Sequence, residues 1–132
     1  MRLITPRLLI TDDDRDFRET VAGLLADRGF ETLQAGDGEE ALEVVARHEV
    51  HLLLLDMHMP RLSGLEMIER LHARELLVPL PWILISAGLD DAIVARARAA
   101  AAYSVLPKPV RLPELTGAVS KALADAYGWR AA

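Results

Sequence analysis

Cysteine is absent from this chain, which excludes a disulfide framework and any thiolate metal site. Long apolar runs are absent too. The longest are Leu52 to Leu55 and the alanine-rich stretch near residue 100, both far short of a membrane span. Met1 to Pro6 carries one arginine but no following apolar block with a small-residue cleavage site. A signal peptide is therefore not expected, and a soluble cytoplasmic protein is the default. Basic clusters are missing as well. Fifteen Lys and Arg against twenty Asp and Glu leave a formal charge of −5, and the positive residues are scattered. A sequence-independent grip on nucleic acid needs clustered cations against phosphates, so direct nucleic-acid binding is a poor reading.

Apolar residues make up 52% of the 132 positions, enough for one packed domain and too little chain for two. Short β-type runs alternate with helical periods. The runs are Leu8 to Thr11, Glu31 to Ala35, Leu52 to Leu55, Trp82 to Ser86 and Ser104 to Leu106. Three are nearly continuous in apolar residues, as strands covered by helices on both faces should be. Glu31 to Ala35 alternates more and reads as a strand nearer an edge. Phe17, Val21, Leu24 and Leu25 mark a first helical face that stops at Gly29. Asp37 caps a second helix with Ala41, Leu42 and Val45 inward, and Glu40 completes a capping-box pattern. Ser63 and Glu66 repeat that pattern before Leu65, Ile68 and Leu71. A fourth helix is expected over Ala92 to Ala102. A fifth runs through Leu115, Val119, Ala122, Leu123 and Ala126 to Gly128. This alternation predicts an α/β fold with a parallel sheet.

Ligands of open parallel sheets sit beyond the carboxyl ends of the strands. Here strand one ends in Asp12-Asp13-Asp14, strand three in Asp56 and strand four in Ser86, while strand five runs into Lys108-Pro109. Carboxylates converging in one crevice resist joint ionisation unless a cation sits among them. Oxygen ligands without His or Cys suit Mg2+. A hydroxyl and an ammonium beside such a centre could hold phosphoryl oxygens, which suffices for transfer onto an aspartate. Taken singly, each residue has a plainer use: Asp14 as a helix cap, Asp56 as a polar strand end, Lys108 as a solvated lysine. Their joint placement at four strand ends is what points to chemistry.

At these residues the sequence resembles the response-regulator receiver family over about residues 7 to 127. The segments that carry the resemblance are LLITDDD (8–14), GFETLQAGDGEEAL (29–42), HLLLLDMHMPRLSGLE (51–66), PWILISA (81–87) and LPKP (106–109). Spacings of 30 residues from Asp56 to Ser86 and 22 from Ser86 to Lys108 match the family layout. The resemblance implies a single receiver domain over 1–132 with no output domain, and a flavodoxin-like strand order 2-1-3-4-5. It implies Asp56 as phospho-acceptor, Asp13 and the backbone carbonyl of His58 as Mg2+ ligands beside Asp56, and Asp12 acting through a water. It implies Ser86 as the switch hydroxyl, Lys108 as the phosphoryl partner before a cis proline, and Gly64 as the residue permitting the turn after the acceptor loop. Such a protein is not a conventional enzyme. It catalyses its own aspartyl phosphorylation and dephosphorylation. The implied partners are a sensor histidine kinase or phosphotransfer protein, with a receiver dimer or downstream protein meeting the face of helix 4, strand 5 and helix 5.

The family's aromatic residue on strand five is replaced by Val105, so its usual reporter of switching is missing. Tyr103 shares the Val105 face by strand parity but is expected to fall outside the strand proper, which leaves open whether it substitutes. His58 has two readings, a tuner of dephosphorylation or an exposed imidazole, and Gly88 leaves the site entrance open. The alanines of the fourth helix could offer a low-relief docking surface or simply favour helix. His48, His51 and His72 lack metal-ligand spacing, and Trp82 reads as packing. Two rival readings fit less of the chain. A phosphatase of the haloacid-dehalogenase type could use Asp12-Asp13-Asp14, but the chain has Asp16 where that family wants Thr or Val, and Asp56 would have no task. A phosphorylation-independent pseudo-receiver is favoured only by Val105.

Overall fold

The computed structural model describes residues 5–74 and 79–131. Residues 1–4, part of the stretch read for a leader, lie outside the described residues. Five strands and five helices alternate: β1 (Arg7–Thr11), α1 (Arg15–Ala26), β2 (Glu31–Ala35), α2 (Gly38–Arg47), β3 (Leu52–Leu55), α3 (Gly64–His72), β4 (Trp82–Ser86), α4 (Asp91–Ala99), β5 (Ser104–Pro107) and α5 (Leu112–Tyr127). All pairings are parallel, and the sheet order is β2-β1-β3-β4-β5. The expected fold and strand order are both found. β2, expected near an edge, is an edge strand.

Strand parity divides the apolar residues between two layers. Leu8, Ile10, Leu52, Leu54, Ile83 and Ile85 face α1 and α5, meeting Val21, Leu25, Leu115 and Val119. Leu9, Leu53, Leu55 and Leu84 face the other way, against Leu42 of α2, Ile68 and Leu71 of α3 and Ala97 of α4. Because both faces are covered, β3 and β4 have no polar side and are buried along their whole length. Each large side chain removed from water contributes about 1.5–3 kcal/mol, so the two layers dominate the stability.

The helix starts follow the expected caps. Asp14, Asp37 and Ser63 accept the backbone N–H of Phe17, Glu40 and Glu66. The full reciprocal capping box is formed at Ser63, where Glu66 returns a bond to the cap N–H. The helix ends are less faithful. α1 stops at Ala26, before Gly29, which follows with φ +91°. α5 ends as expected at Gly128 in the left-handed region, but Ala126 is exposed rather than inward. α4 ends at Ala99, three residues earlier than expected. There Ala101 takes φ +66°, and Ala102 N–H reaches back to Ala97 O at 2.9 Å. That bond closes the helix with a left-handed turn made by alanine in place of the usual glycine. Trp82 is buried, as expected for packing, and its indole N–H donates to the Ala100 carbonyl of the same turn.

A second polar cluster holds the opposite end of the sheet from the strand-end carboxylates. Buried His51 accepts the Arg7 backbone N–H through Nδ1 at 2.9 Å and meets Glu49 through Nε2 at 3.1 Å. Tyr127, at the end of α5, donates to the His51 carbonyl and packs edge-on against its ring. His51 therefore ties α5 to β1 and β3 as a structural residue.

Candidate functional site

The site is assembled by hydrogen bonds that continue the sheet one residue past the strands. Asp12 N–H donates to Ala35 O, Asp56 N–H to Thr11 O and Lys108 N–H to Ser86 O, at 3.0–3.1 Å. Each side chain is thus set by the sheet and not by a free loop. Carboxylate oxygens of Asp12, Asp13 and Asp56 all lie within 4.8 Å of one another. Asp12 and Asp56 are buried, at 4% and 5% exposure, and Asp13 is exposed. Asp12 is braced on both sides: its Oδ1 accepts Asp14 N–H, and its carbonyl accepts the Arg18 guanidinium.

Lys108 enters from β5 through a cis peptide bond to Pro109, as expected. Its ammonium donates to Asp12 Oδ2 at 2.7 Å and lies 3.9 Å from Asp56 Oδ1. Ser86 is fully buried beside Asp56, and its hydroxyl donates to the Ala87 carbonyl at 3.0 Å. Burial pushes the Asp56 carboxyl above the ordinary carboxylate range, and the Asp12 charge adds to the rise. Lys108, the Ser86 hydroxyl and the His58 backbone N–H oppose it. The crevice is therefore short of positive charge, and its hard oxygen donors fit a divalent cation such as Mg2+.

The loop after Asp56 is pinned by alternation. Met57, Met59 and Leu62 are buried, which leaves His58 exposed between the two methionines. Arg61 takes φ +67° and pairs with Asp37 at 2.9 Å, joining the loop to the start of α2. Gly64 permits the chain to turn back on the Asp56 loop, as expected, and the reason is space. Gly64 opens α3 without a left-handed φ; its N–H donates to Met57 O, and a Cβ there would overlap the Asp56 carbonyl oxygen. Close approach, not turn conformation, requires the glycine. Gly88 does take φ +65°, with open space around it.

Tyr103 lies just before β5, as expected, but not on the face that parity gives it. Val105 packs with the layer of α2, α3 and α4, whereas Tyr103 packs with the α1 and α5 layer and bonds Asp125 of α5 through its hydroxyl. Parity fails because Tyr103 precedes β5, where its N–H already turns to Trp82 O. It cannot stand in for an aromatic at position 105. One residue at the site was read from sequence only as a core position: Phe17 lies with its ring over the Lys108 ammonium. The available signal was its place one helical turn after the acidic triplet.

Residues 8–120 match the family model of the response regulator receiver domain. A response regulator receiver protein of Anaeromyxobacter is 38% identical over 109 residues, covering 83% of this chain and 45% of that protein. The response regulator MprA of Mycobacterium leprae is 40% identical over 111 residues, covering 83% of this chain and 47% of that one. The crystal structure of a response regulator receiver protein from Pseudomonas putida superposes with a TM-score of 0.85 at 28% identity, over 90% of this chain and 98% of that one. The chain belongs to the response-regulator receiver family of two-component signalling. It spans about half the length of these curated relatives. Among the described residues no helix is long and apolar enough to cross a membrane.

Proposed function

We propose that this chain is a cytoplasmic phosphorylation switch that takes a phosphoryl group on Asp56 from the phosphohistidine of a sensor histidine kinase or phosphotransfer protein. The observation that carries the reading is the convergence of Asp12, Asp13 and Asp56 oxygens within 4.8 Å, with Lys108 at their side. In the transfer, an Asp56 carboxylate oxygen forms the new bond to phosphorus as the phosphorus–nitrogen bond breaks. The electron pair returns to the imidazole nitrogen. Hydrolysis then restores the carboxylate and releases phosphate.

Asp13, Asp56 and the His58 backbone carbonyl would hold Mg2+, with Asp12 acting through a water. The ion would supply charge neutralisation for the incoming phosphoryl oxygens. Lys108 exchanges its Asp12 partner for a phosphoryl oxygen, and the Ser86 hydroxyl leaves the Ala87 carbonyl for another. Phosphorylation adds roughly −1.5 to −2 of charge, and this biases a two-state equilibrium of the surrounding loops. Partners meet the face of α4, β5 and α5, where Val105 lacks a ring to swing. The alternative of a phosphorylation-independent module leaves the buried, mutually repelling carboxylates without a use. Incubation with acetyl or carbamoyl phosphate in Mg2+, followed by intact mass, tests the proposal. A one-phosphoryl gain absent from Asp56→Asn supports it; no gain with any donor, kinase included, rejects it.

A further inference from the structure

Phe17 stands where α1 meets the site. Its backbone N–H donates to the Asp14 cap at 3.2 Å, which fixes it in the first helical turn. The Lys108 ammonium lies 4.2 Å from the centroid of its ring. That ammonium has Asp12 Oδ2 at 2.7 Å and Asp56 Oδ1 at 3.9 Å. The ring also lines two spaces. One is a cavity of about 10 Å³ bordered by Asp12 and Asp56, and the other is an open groove of about 440 Å³ lined by Thr20, Leu24, Pro109 and Val110. Phe17 is therefore the partition between the carboxylates and the groove.

Lysine is a compact charge on a flexible four-carbon stem, and alone it favours hydration over a fixed place. The Lys108 stem borders the open groove, so an ammonium without a wall behind it could swing out there. The face of an aromatic ring carries negative potential and attracts a cation held over it. We propose that Phe17 is a positioning residue for Lys108. Its ring holds the ammonium at the carboxylates and keeps it from the groove, so that the charge is in place when a phosphoryl group arrives. This role rests on the reading of Lys108 as the phosphoryl partner. A cation–ring contact at a partly exposed site corresponds to about a 3- to 10-fold preference.

The chain has two lysines, Lys108 and the exposed Lys121, which gives a clean spectroscopic test. In protein labelled with ¹³C at lysine Cε, the Lys108 methylene should resonate upfield of Lys121 because of the ring above it. Phe17→Leu should abolish the difference, and Phe17→Tyr and Phe17→Trp should keep it. With phosphoramidate and Mg2+, a donor too small to need docking, Phe17→Leu should be phosphorylated about 3- to 10-fold more slowly. The Tyr and Trp variants should restore the rate, an outcome that altered packing alone does not predict. Equal lysine shifts in the wild type overturn the proposal. So does a Phe17→Leu protein phosphorylated at the wild-type rate. A wild type that shows the upfield lysine but takes no phosphoryl group overturns the phosphorylation reading itself. The lysine spectrum tells the two failures apart.

Discussion

The Lys108 ammonium is bonded to Asp12 at 2.7 Å and stands 3.9 Å from Asp56. The lysine therefore neutralises the first-strand carboxylate while the candidate acceptor keeps a raised affinity for protons. A cation in this position competes with a divalent ion for the same oxygens. Lys108→Met should bind Mg2+ severalfold more tightly than the wild type, yet be phosphorylated more slowly from small donors. Isothermal titration and intact-mass kinetics read the two effects separately.

The Asp56 carboxyl is held above its ordinary range by burial and by Asp12. Between the unfolded and folded titration points the native state keeps a proton that the unfolded chain has lost. Stability therefore falls as pH rises through that interval, and the ionised carboxylate destabilises the metal-free protein at neutral pH. Asp56→Asn should melt higher than the wild type at neutral pH without Mg2+, and the gap should narrow in mild acid. Added Mg2+ should raise the wild-type melting point more than that of the variant. Calorimetry across pH, with and without Mg2+, gives all four comparisons.

Gly64 and Gly117 are both helical glycines with opposite surroundings. A Cβ at Gly64 would overlap the Asp56 carbonyl, whereas at Gly117 nothing lies within 4 Å. Gly64→Ala should cost about 1–3 kcal/mol, as overpacking does, and slow phosphorylation by displacing Asp56. Gly117→Ala should stabilise by about 0.5–1 kcal/mol and leave phosphorylation alone. Urea unfolding midpoints measure both.

Both tyrosines of the chain are held protonated beyond the usual range. Tyr103 is pushed up to about 12 by its bond to Asp125, and Tyr127 to about 12 by burial, with the Glu49 charge adding. A free phenol is half ionised near pH 10. At that pH the native protein should show little tyrosinate absorbance, and the urea-unfolded chain about half of its full signal. The sign follows from the raised values: this stability is present below pH 10 and is lost as pH climbs toward 12.

His51 separates folding from chemistry. His51→Ala removes the acceptor of the Arg7 N–H and the ring packed on Tyr127. The loss should be about 2–4 kcal/mol, combining a cavity with an unpaired backbone donor. Phosphorylation from small donors should continue at the wild-type rate below the lowered melting point, because the cluster lies at the far end of the sheet.

Much of this was legible because the physics is local. Continuous leucines in β3 and β4 announce strands covered on both faces, and Asp14, Asp37 and Ser63 announce helix starts through their own side chains. The convergence of Asp12, Asp56, Ser86 and Lys108 followed from their shared position at strand ends in a parallel sheet. Where reasoning from sequence failed, the deciding contact was tertiary. An alanine run contains no stop signal, so the end of α4 was set by Ala101 entering the left-handed region and by the Trp82 indole on Ala100. Tyr103 was expected outside the strand, but parity could not assign its face there, because alternation begins only at Ser104 and the layer was set by α5. The ring of Phe17 over Lys108 joins residues at opposite ends of the chain, and helical periodicity alone assigned it to the core.

The phosphorylation reading turns on which carboxylate oxygen takes the phosphoryl group. Borohydride reduces an aspartyl phosphate to homoserine, a change that tandem mass spectra assign to one position. After treatment with phosphoramidate and Mg2+, that conversion should occur at position 56 alone, and not at all when Mg2+ is chelated. Conversion at Asp12 or Asp13, or none anywhere in protein treated with Mg2+ and donor, would contradict that reading.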